Sequence, residues 1–323
     1  MEKVVKTKPF IDKLIDHITE KKSHVVVGLD PVYENLPACL RFEKEGNINL
    51  RHIGDSIVEF NFKLIDAIYD LIPAVKPQIA FYEKYGIEGI KAFIKTISHA
   101  KKKGLIVIED SKRNDIGSTA EAYSAGHIGR VKIGTKSKTI FDADAITVTP
   151  YLGSDGILPF IDDARKYQKG VFVLVKTSNP SSIEIQDIIT IVGKKKIKLY
   201  EVVAELVDLW GRNITGSSGY SSLGAVVGAT FPKEAKILRK LMPKACFLVP
   251  GYGFQGATAS DVINCFNKDG YGAIISASRS INYAYKKDNR FAEKEFALAA
   301  REAVIKMNEE INNELKKVKL LKW

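Results

Sequence analysis

Cysteine is scarce in this 323-residue chain, and Cys39, Cys246 and Cys265 stand far apart. Three dispersed thiols supply neither the paired spacing of a zinc site nor an even disulfide framework, and they suit a reducing, cytoplasmic setting. The five histidines, at 17, 24, 52, 99 and 127, show no metal-ligand spacing and pair with no plausible nucleophile. Each is expected at the surface or at a helix end. Long apolar runs are also missing. The longest, such as Val171 to Val175, fall far short of the roughly 18 residues that a membrane span needs. Lys6, Lys8, Asp12, Lys13 and Asp16 interrupt the start of the chain, so no signal h-region is read there. No stretch rich in proline, glycine or serine divides the sequence, and no internal repeat is visible, so a single domain over 1–323 is expected.

Arginine is sparse as well. The basic residues divide into 39 Lys and 10 Arg, and the net charge is +11. Such an excess fits a nucleic-acid partner, a small anionic substrate or a lysine-rich surface. Readers of bases and phosphates favour the planar arginine fork, and no aromatics interleave the densest runs, Lys101–Lys103 and Lys194–Lys196. The reading is therefore no nucleic acid and no membrane, with Lys101–Lys103 placed at a helix end where cations suit the dipole.

What is present is a repeated alternation. Short runs rich in Val, Ile and Leu recur at about 24–30, 74–79, 105–110, 144–149, 171–176, 224–228, 246–250 and 272–277. Most are continuous rather than alternating, as parallel strands covered on both faces require. Between them lie helical patterns. Ile53, Ile57, Phe60, Leu64, Ile68 and Leu71 share one face before Pro73, and Ile87, Ile90, Phe93, Ile94 and Ile97 repeat the device before Gly104. Eight strands spaced by roughly 35 residues predict an α/β fold, a single (β/α)8 TIM barrel. Residues 31–50 and 178–222 exceed what a plain unit needs and are read as surface insertions. A charged amphipathic helix over 290–318 is expected to close the outer layer.

The segment Ile108-Glu109-Asp110-Ser111-Lys112-Arg113-Asn114-Asp115-Ile116-Gly117-Ser118-Thr119 carries the densest chemistry. Asp110 and Lys112 are two apart, so at a strand end both project toward the barrel mouth, where this fold places its sites. Lys76 lies inside the apolar run Ala74–Tyr82, where burial is costly unless a carboxylate pairs with it. Adjacent strands would set it beside Asp110 and Lys112, and Asp30 ends the first strand at the same rim. Loops after the last two strands are this fold's frequent phosphate site. Here they read Pro250-Gly251-Tyr252-Gly253-Phe254-Gln255-Gly256 and Ser276-Ala277-Ser278-Arg279. The glycines permit close backbone approach and Arg279 offers a fork to an oxyanion.

Two motif matches lead nowhere. Gly251-x-Gly253-x-x-Gly256 satisfies the dinucleotide fingerprint, but only one strand follows it. Gly129 to Ser137 resembles a P-loop, yet Thr135 separates Gly134 from Lys136 and the segment follows a helix, so a solvated loop is expected.

Taken together, Lys76-Pro-Gln-Ile-Ala-Phe-Tyr, Asp110 to Thr119, Lys-Thr-Ser178-Asn-Pro, Pro250-Gly-x-Gly-x-Gln255-Gly and Arg279 resemble the orotidine 5'-phosphate decarboxylase family, most closely its longer type 2 branch. The motifs fall in family order over roughly residues 24 to 285. The resemblance implies a cofactor-free carboxy-lyase without metal, converting orotidine 5'-phosphate to uridine 5'-phosphate in the last step of UMP biosynthesis. It implies Lys112 as proton donor to C6, Asp110 facing the leaving carboxylate, and Lys76 and Asp115 completing a charge network. It further implies Asp30 and Lys76 at the ribose, Ser178 at the pyrimidine edge, Pro250 along the base, and Gln255 and Arg279 at the phosphate. Asp115, Ile116 and Thr119 would reach a neighbouring subunit's site, making a homodimer. Association with an orotate phosphoribosyltransferase is compatible with the resemblance, although no pyrophosphate-binding motif is visible. Metal-dependent relatives in the wider suprafamily carry an acidic residue where this chain has Lys76, a cation that would repel Mg2+. A basic, non-catalytic polyanion-binding module is the alternative from another class.

Overall fold

The computed structural model describes residues 8–41, 49–253 and 256–323. Eight parallel strands close a barrel: β1 (Val25–Leu29), β2 (Ala74–Pro77), β3 (Ile106–Arg113), β4 (Ala145–Val148), β5 (Gly170–Lys176), β6 (Ser221–Val227), β7 (Ala245–Pro250) and β8 (Ala273–Ala277). Each pairs with its sequence neighbours, and β1 pairs with β8, Val25 opposite Ile275. The expected (β/α)8 fold is what the chain adopts. Strand side chains alternate between two apolar layers. Val26, Ala74, Ile106, Ile108, Ala145, Phe172, Val226, Leu248 and Ile274 fill the barrel, while Val25, Val27, Val75, Val107, Ile146 and Val173 pack outward on the helices. Burial on both sides explains the continuous apolar runs.

The first helix, α1 (Phe10–Lys21), closes the N-terminal end of the barrel. Phe10 packs edge-on against Phe172 with ring centroids 6.0 Å apart. Asp12 accepts the backbone N–H groups of Ser217 at 2.8 Å and Ser218 at 2.9 Å, so the Gly/Ser stretch before β6 is tied to α1. The outer layer comprises α2 (Leu50–Ile68), α3 (Gly86–Lys102), α4 (Gly117–His127), α5 (Ser154–Tyr167), α6 (Leu199–Gly211), α7 (Pro232–Leu241) and α8 (Phe296–Lys317). The expected face of α3 is only partly right, because Phe93 and Ile97 are buried whereas Ile87 and Ile94 face solvent. Among the described residues no helix is long and apolar enough to cross a membrane.

Of residues 31–50, those at 42–48 lie outside the described residues, 31–41 hold two short turns with Leu36 and Leu40 buried against the core, and Asn49 and Leu50 already cap and begin α2. The stretch 178–222 is only partly inserted. Its first half holds a short helix (Ile183–Gln186) and a hairpin (Ile189–Val192 with Lys195–Lys198), but α6 belongs to the regular outer layer and Ser221–Ser222 already to β6. Gly129–Ser137 is not a simple loop: Val131–Ile133 and Lys136–Lys138 pair as an exposed hairpin. Nor are all histidines peripheral, since His24 is buried just ahead of β1.

Candidate active site

The alternation that fills the barrel also selects the residues at its C-terminal mouth. Ala74 points inward, so Lys76 does too; Ile106 and Ile108 point inward, and Asp110 and Lys112 continue that row. Ala145 places Thr147 beside them on β4. The three strands thereby converge on one carboxylate. Lys76 Nζ donates to Asp110 Oδ2 at 2.7 Å, Lys112 Nζ donates to Asp110 Oδ1 at 2.6 Å, and Thr147 Oγ1 donates to Oδ1 at 3.0 Å. Lys76 and Asp110 are buried, whereas the Lys112 side chain is 44% exposed. Lys112 also adopts φ 48°, a left-handed backbone that a lysine rarely occupies. Its N–H is held by Thr147 Oγ1 at 3.0 Å.

The charges are mutually dependent. Burial pushes the Asp110 carboxyl up, but Lys76 and Lys112 outweigh it and hold the group well below the usual carboxylate range. Burial acts on Lys76 in the opposite sense, and Asp110 and Asp30 more than offset it, raising the ammonium above its ordinary value. Both groups are therefore ionised at neutral pH, a fixed positive charge beside a fixed negative one.

Asp30 follows β1 at the same rim, and its Oδ1 is buried with no hydrogen-bond partner among the described residues. Such an orphaned acceptor suits a ligand hydroxyl. The approach of β1 to β8 here demands Gly28, since a Cβ on it would fall 1.9 Å from Ser278 Oγ. Ser178, just beyond β5, is admitted by Gly228 in the same way: a Cβ there would lie 2.8 Å from Ser178 Cα. Gln186 pins the turn, accepting the Thr177 N–H at 2.9 Å and donating to Thr177 Oγ1 at 2.7 Å.

Lys76, Asp110, Lys112, Thr147, Ser178 and Pro250 line one cavity of about 480 Å³, with Leu174, Val226 and Leu248 as its apolar floor. Arg279 begins the short helix Arg279–Asn282 after β8 and is exposed. Gly251 and Gly253 have φ 103° and 72°, and Gln255 lies outside the described residues. Asp115, Ile116 and Thr119 do not join the cavity. Asp115 Oδ1 accepts the Ile116 N–H at 2.8 Å, Asp115 makes no ion pair among the described residues, and Ile116 and Thr119 project into solvent. Among the described residues no group of three or more His, Cys, Asp or Glu could hold a metal ion.

Sequence reasoning missed Thr147 and Lys176. Lys176 is fully buried, with Nζ 2.6 Å from Asp187 and 3.1 Å from Ser182, and Lys198 Nζ approaches Asp187 at 3.0 Å. This cluster fastens the inserted hairpin to the strand end that bears Ser178. A lysine ending an apolar run was the available signal, the same one that marks Lys76.

A family model described as orotidine 5'-phosphate decarboxylase / HUMPS family matches residues 23–293. The orotidine 5'-phosphate decarboxylase of Caldicellulosiruptor bescii is 42% identical over 279 residues, covering 86% of this chain and 90% of that protein. That of Rhodopirellula baltica is 40% identical over 305 residues, 94% of this chain and 98% of the relative. Among solved structures, Leishmania donovani OMP decarboxylase superposes with TM-score 0.70 at 31% identity, covering 95% of this chain and 98% of that one. Leishmania donovani UMP synthase gives TM-score 0.72 at 32% identity, the match covering 95% of this chain but 57% of that longer one. With a closed barrel, a Lys-Asp-Lys cluster at its mouth and relatives of this identity over nearly its whole length, the chain belongs to the orotidine 5'-phosphate decarboxylase family of carboxy-lyases.

Proposed function

We propose that the cavity decarboxylates orotidine 5'-phosphate to uridine 5'-phosphate without a cofactor, through a carbanion at C6 that Lys112 protonates. The observation that carries this reading is the Asp110 carboxylate gripped between Lys76 at 2.7 Å and Lys112 at 2.6 Å inside the cavity. Loss of CO2 leaves an electron pair on C6 with no conjugated sink, so fixed positive charge must stand where negative charge develops. The two ammonium groups supply it. Lys112, the more exposed of the two, gives its proton to C6, and Asp110 stays ionised throughout. Asp110 beside the substrate carboxylate is a like-charge contact that departure of CO2 relieves.

Within the same reading the ribose hydroxyls meet Asp30 and Lys76, the pyrimidine edge meets Ser178, the base lies along Pro250, and the phosphate is held by Arg279 with Gln255. The unpartnered Oδ1 of Asp30 supports the first assignment. Phosphate binding far from the reacting carbon contributes energy for ordering the loops around the substrate. The exposed Asp115–Thr119 rim reaches a second copy's cavity, and the solvent-facing Ile116 supports that placement. The whole chain acts as one barrel domain.

The test is loss of pyrimidine absorbance when the protein meets orotidine 5'-phosphate in excess chelator. Turnover should persist, and a requirement for added divalent metal would overturn the cofactor-free reading.

A further inference from the structure

The hairpin Val131–Ile133/Lys136–Lys138 takes no part in the catalytic cavity. It borders a second one, of about 930 Å³, at the other end of the barrel. Lys13 of α1, Asp144 immediately before β4 and Lys169 immediately before β5 line it, all at the N-terminal ends of the strands. Seven basic side chains share this cavity with two carboxylates.

Both carboxylates are already engaged. Lys101 Nζ lies 2.6 Å from Asp142 and 3.6 Å from Asp144, and Lys169 Nζ lies 3.0 Å and 3.6 Å from the same pair. Lys13, Arg130, Lys132, Lys136 and Lys166 remain in excess, and none of the five forms a salt bridge among the described residues. Burial lowers the Lys13 ammonium below its ordinary value; Asp144 opposes the shift, and Lys169 and Lys101 add to it. The chain has gathered more positive charge here than it neutralises. Like charges gathered this closely repel one another, and an entering anion of several charges relieves the repulsion.

Shape and composition narrow the ligand. Lysines are point-charge partners for phosphate and can follow a flexible chain of several phosphoryl groups. Tyr167 is the one aromatic in the lining, with Arg130 5.8 Å and Lys166 5.1 Å from its ring centroid. A single ring does not make the succession of stacking platforms that single-stranded nucleic acid uses. We propose that this cavity is a second anion site that binds a small molecule bearing a polyphosphate chain, a nucleoside triphosphate or inorganic triphosphate. It stands apart from the phosphate loops near Arg279, at the opposite end of the strands.

The experiment is calorimetric titration of the full chain, with uridine 5'-phosphate present throughout, using inorganic tripolyphosphate and adenosine triphosphate as separate probes. Wild type is compared with the double variant Lys132→Ala/Lys136→Ala, whose substitutions lie on the exposed hairpin. Saturable binding to wild type is expected, weakened by about tenfold or more in the variant because two charges near the ligand are gone. Circular dichroism and turnover of orotidine 5'-phosphate should be unchanged in that variant. Tighter binding of the nucleotide than of tripolyphosphate would support the site with a nucleoside as part of the ligand, and equal binding would support it with the phosphate chain alone. Two results would overturn it: no saturable binding of either probe, or equal affinity in the variant.

Discussion

Thr147 joins two residues of the charge network through one hydroxyl: it donates to Asp110 Oδ1 at 3.0 Å and accepts the Lys112 N–H at 3.0 Å. The contact fixes the orientation of the carboxylate and supports the left-handed backbone of Lys112 at the same time. Valine would fill the same space without the hydroxyl. It would leave the part-buried Lys112 N–H without its acceptor, at about 1–3 kcal/mol, and would leave Asp110 Oδ1 held by Lys112 Nζ alone. Thr147→Val should therefore lower kcat by about 10- to 100-fold with little change in KM for orotidine 5'-phosphate. Steady-state kinetics on the folded variant measures this, and an unchanged kcat would show that the hydroxyl has no positioning role.

Lys112→Ala separates binding from chemistry. The side chain is 44% exposed and Lys76 still neutralises Asp110, so the variant should fold and retain uridine 5'-phosphate binding by calorimetry. Decarboxylation should fall by at least about 10²- to 10⁴-fold, the usual contribution of a positioned general acid. Substantial residual turnover would mean that another group delivers the proton.

The eight strands were legible because strands buried on both faces cannot alternate in polarity, leaving apolar runs that stand out in the sequence. Lys76 and Asp110 were legible for the converse reason: charge inside such a run needs a partner. Thr147 was not, since threonine is an ordinary strand residue and only the register of β3 against β4 gives its hydroxyl something to hold. The Gly/Ser stretch hid the start of β6, and the apolar spacing of Tyr200, Ala204, Val207 and Trp210 in α6 was submerged in what was read as one insertion. The place of Asp115 depends on a second copy in the proposed assembly, which a single chain's pattern does not contain.

Asp187 tests how the inserted hairpin is held. Burial pushes its carboxyl up, but hydrogen bonds and charge from Lys176 and Lys198 outweigh this and keep it below the usual range. Asp187→Asn strands the fully buried Lys176 without its counter-charge. The expected loss is about 3 kcal/mol, at the low end for a broken buried pair because Asp187 is partly exposed. Lys176→Met removes charge and need together and should cost less. Urea denaturation of both variants checks the order, and equal stabilities would show that the pair does not anchor the insertion.

His24 gives the pH dependence a definite sign. Its ring is buried, Nδ1 lies 3.1 Å from the Ala273 carbonyl oxygen, and the ring stacks on Trp323 with centroids 5.2 Å apart. Burial pushes its pKa from 6.5 down to about 4, only partly opposed by the Ala273 hydrogen bond. Between those values the unfolded chain takes up a proton that the folded chain refuses, so unfolding is favoured as pH falls. This contribution is fully present above about pH 6.5, declines through the window and levels off below about pH 4. A shift of this size amounts to about 3 kcal/mol. His24→Phe keeps the aromatic packing and removes the titrating group. Between pH 7.5 and 4.5, which covers most of the window, the variant should lose about 2.5 kcal/mol less unfolding free energy than wild type, measured by urea denaturation at each pH. Parallel losses in the two proteins would show that His24 does not titrate in this range and that the acid sensitivity comes from other groups.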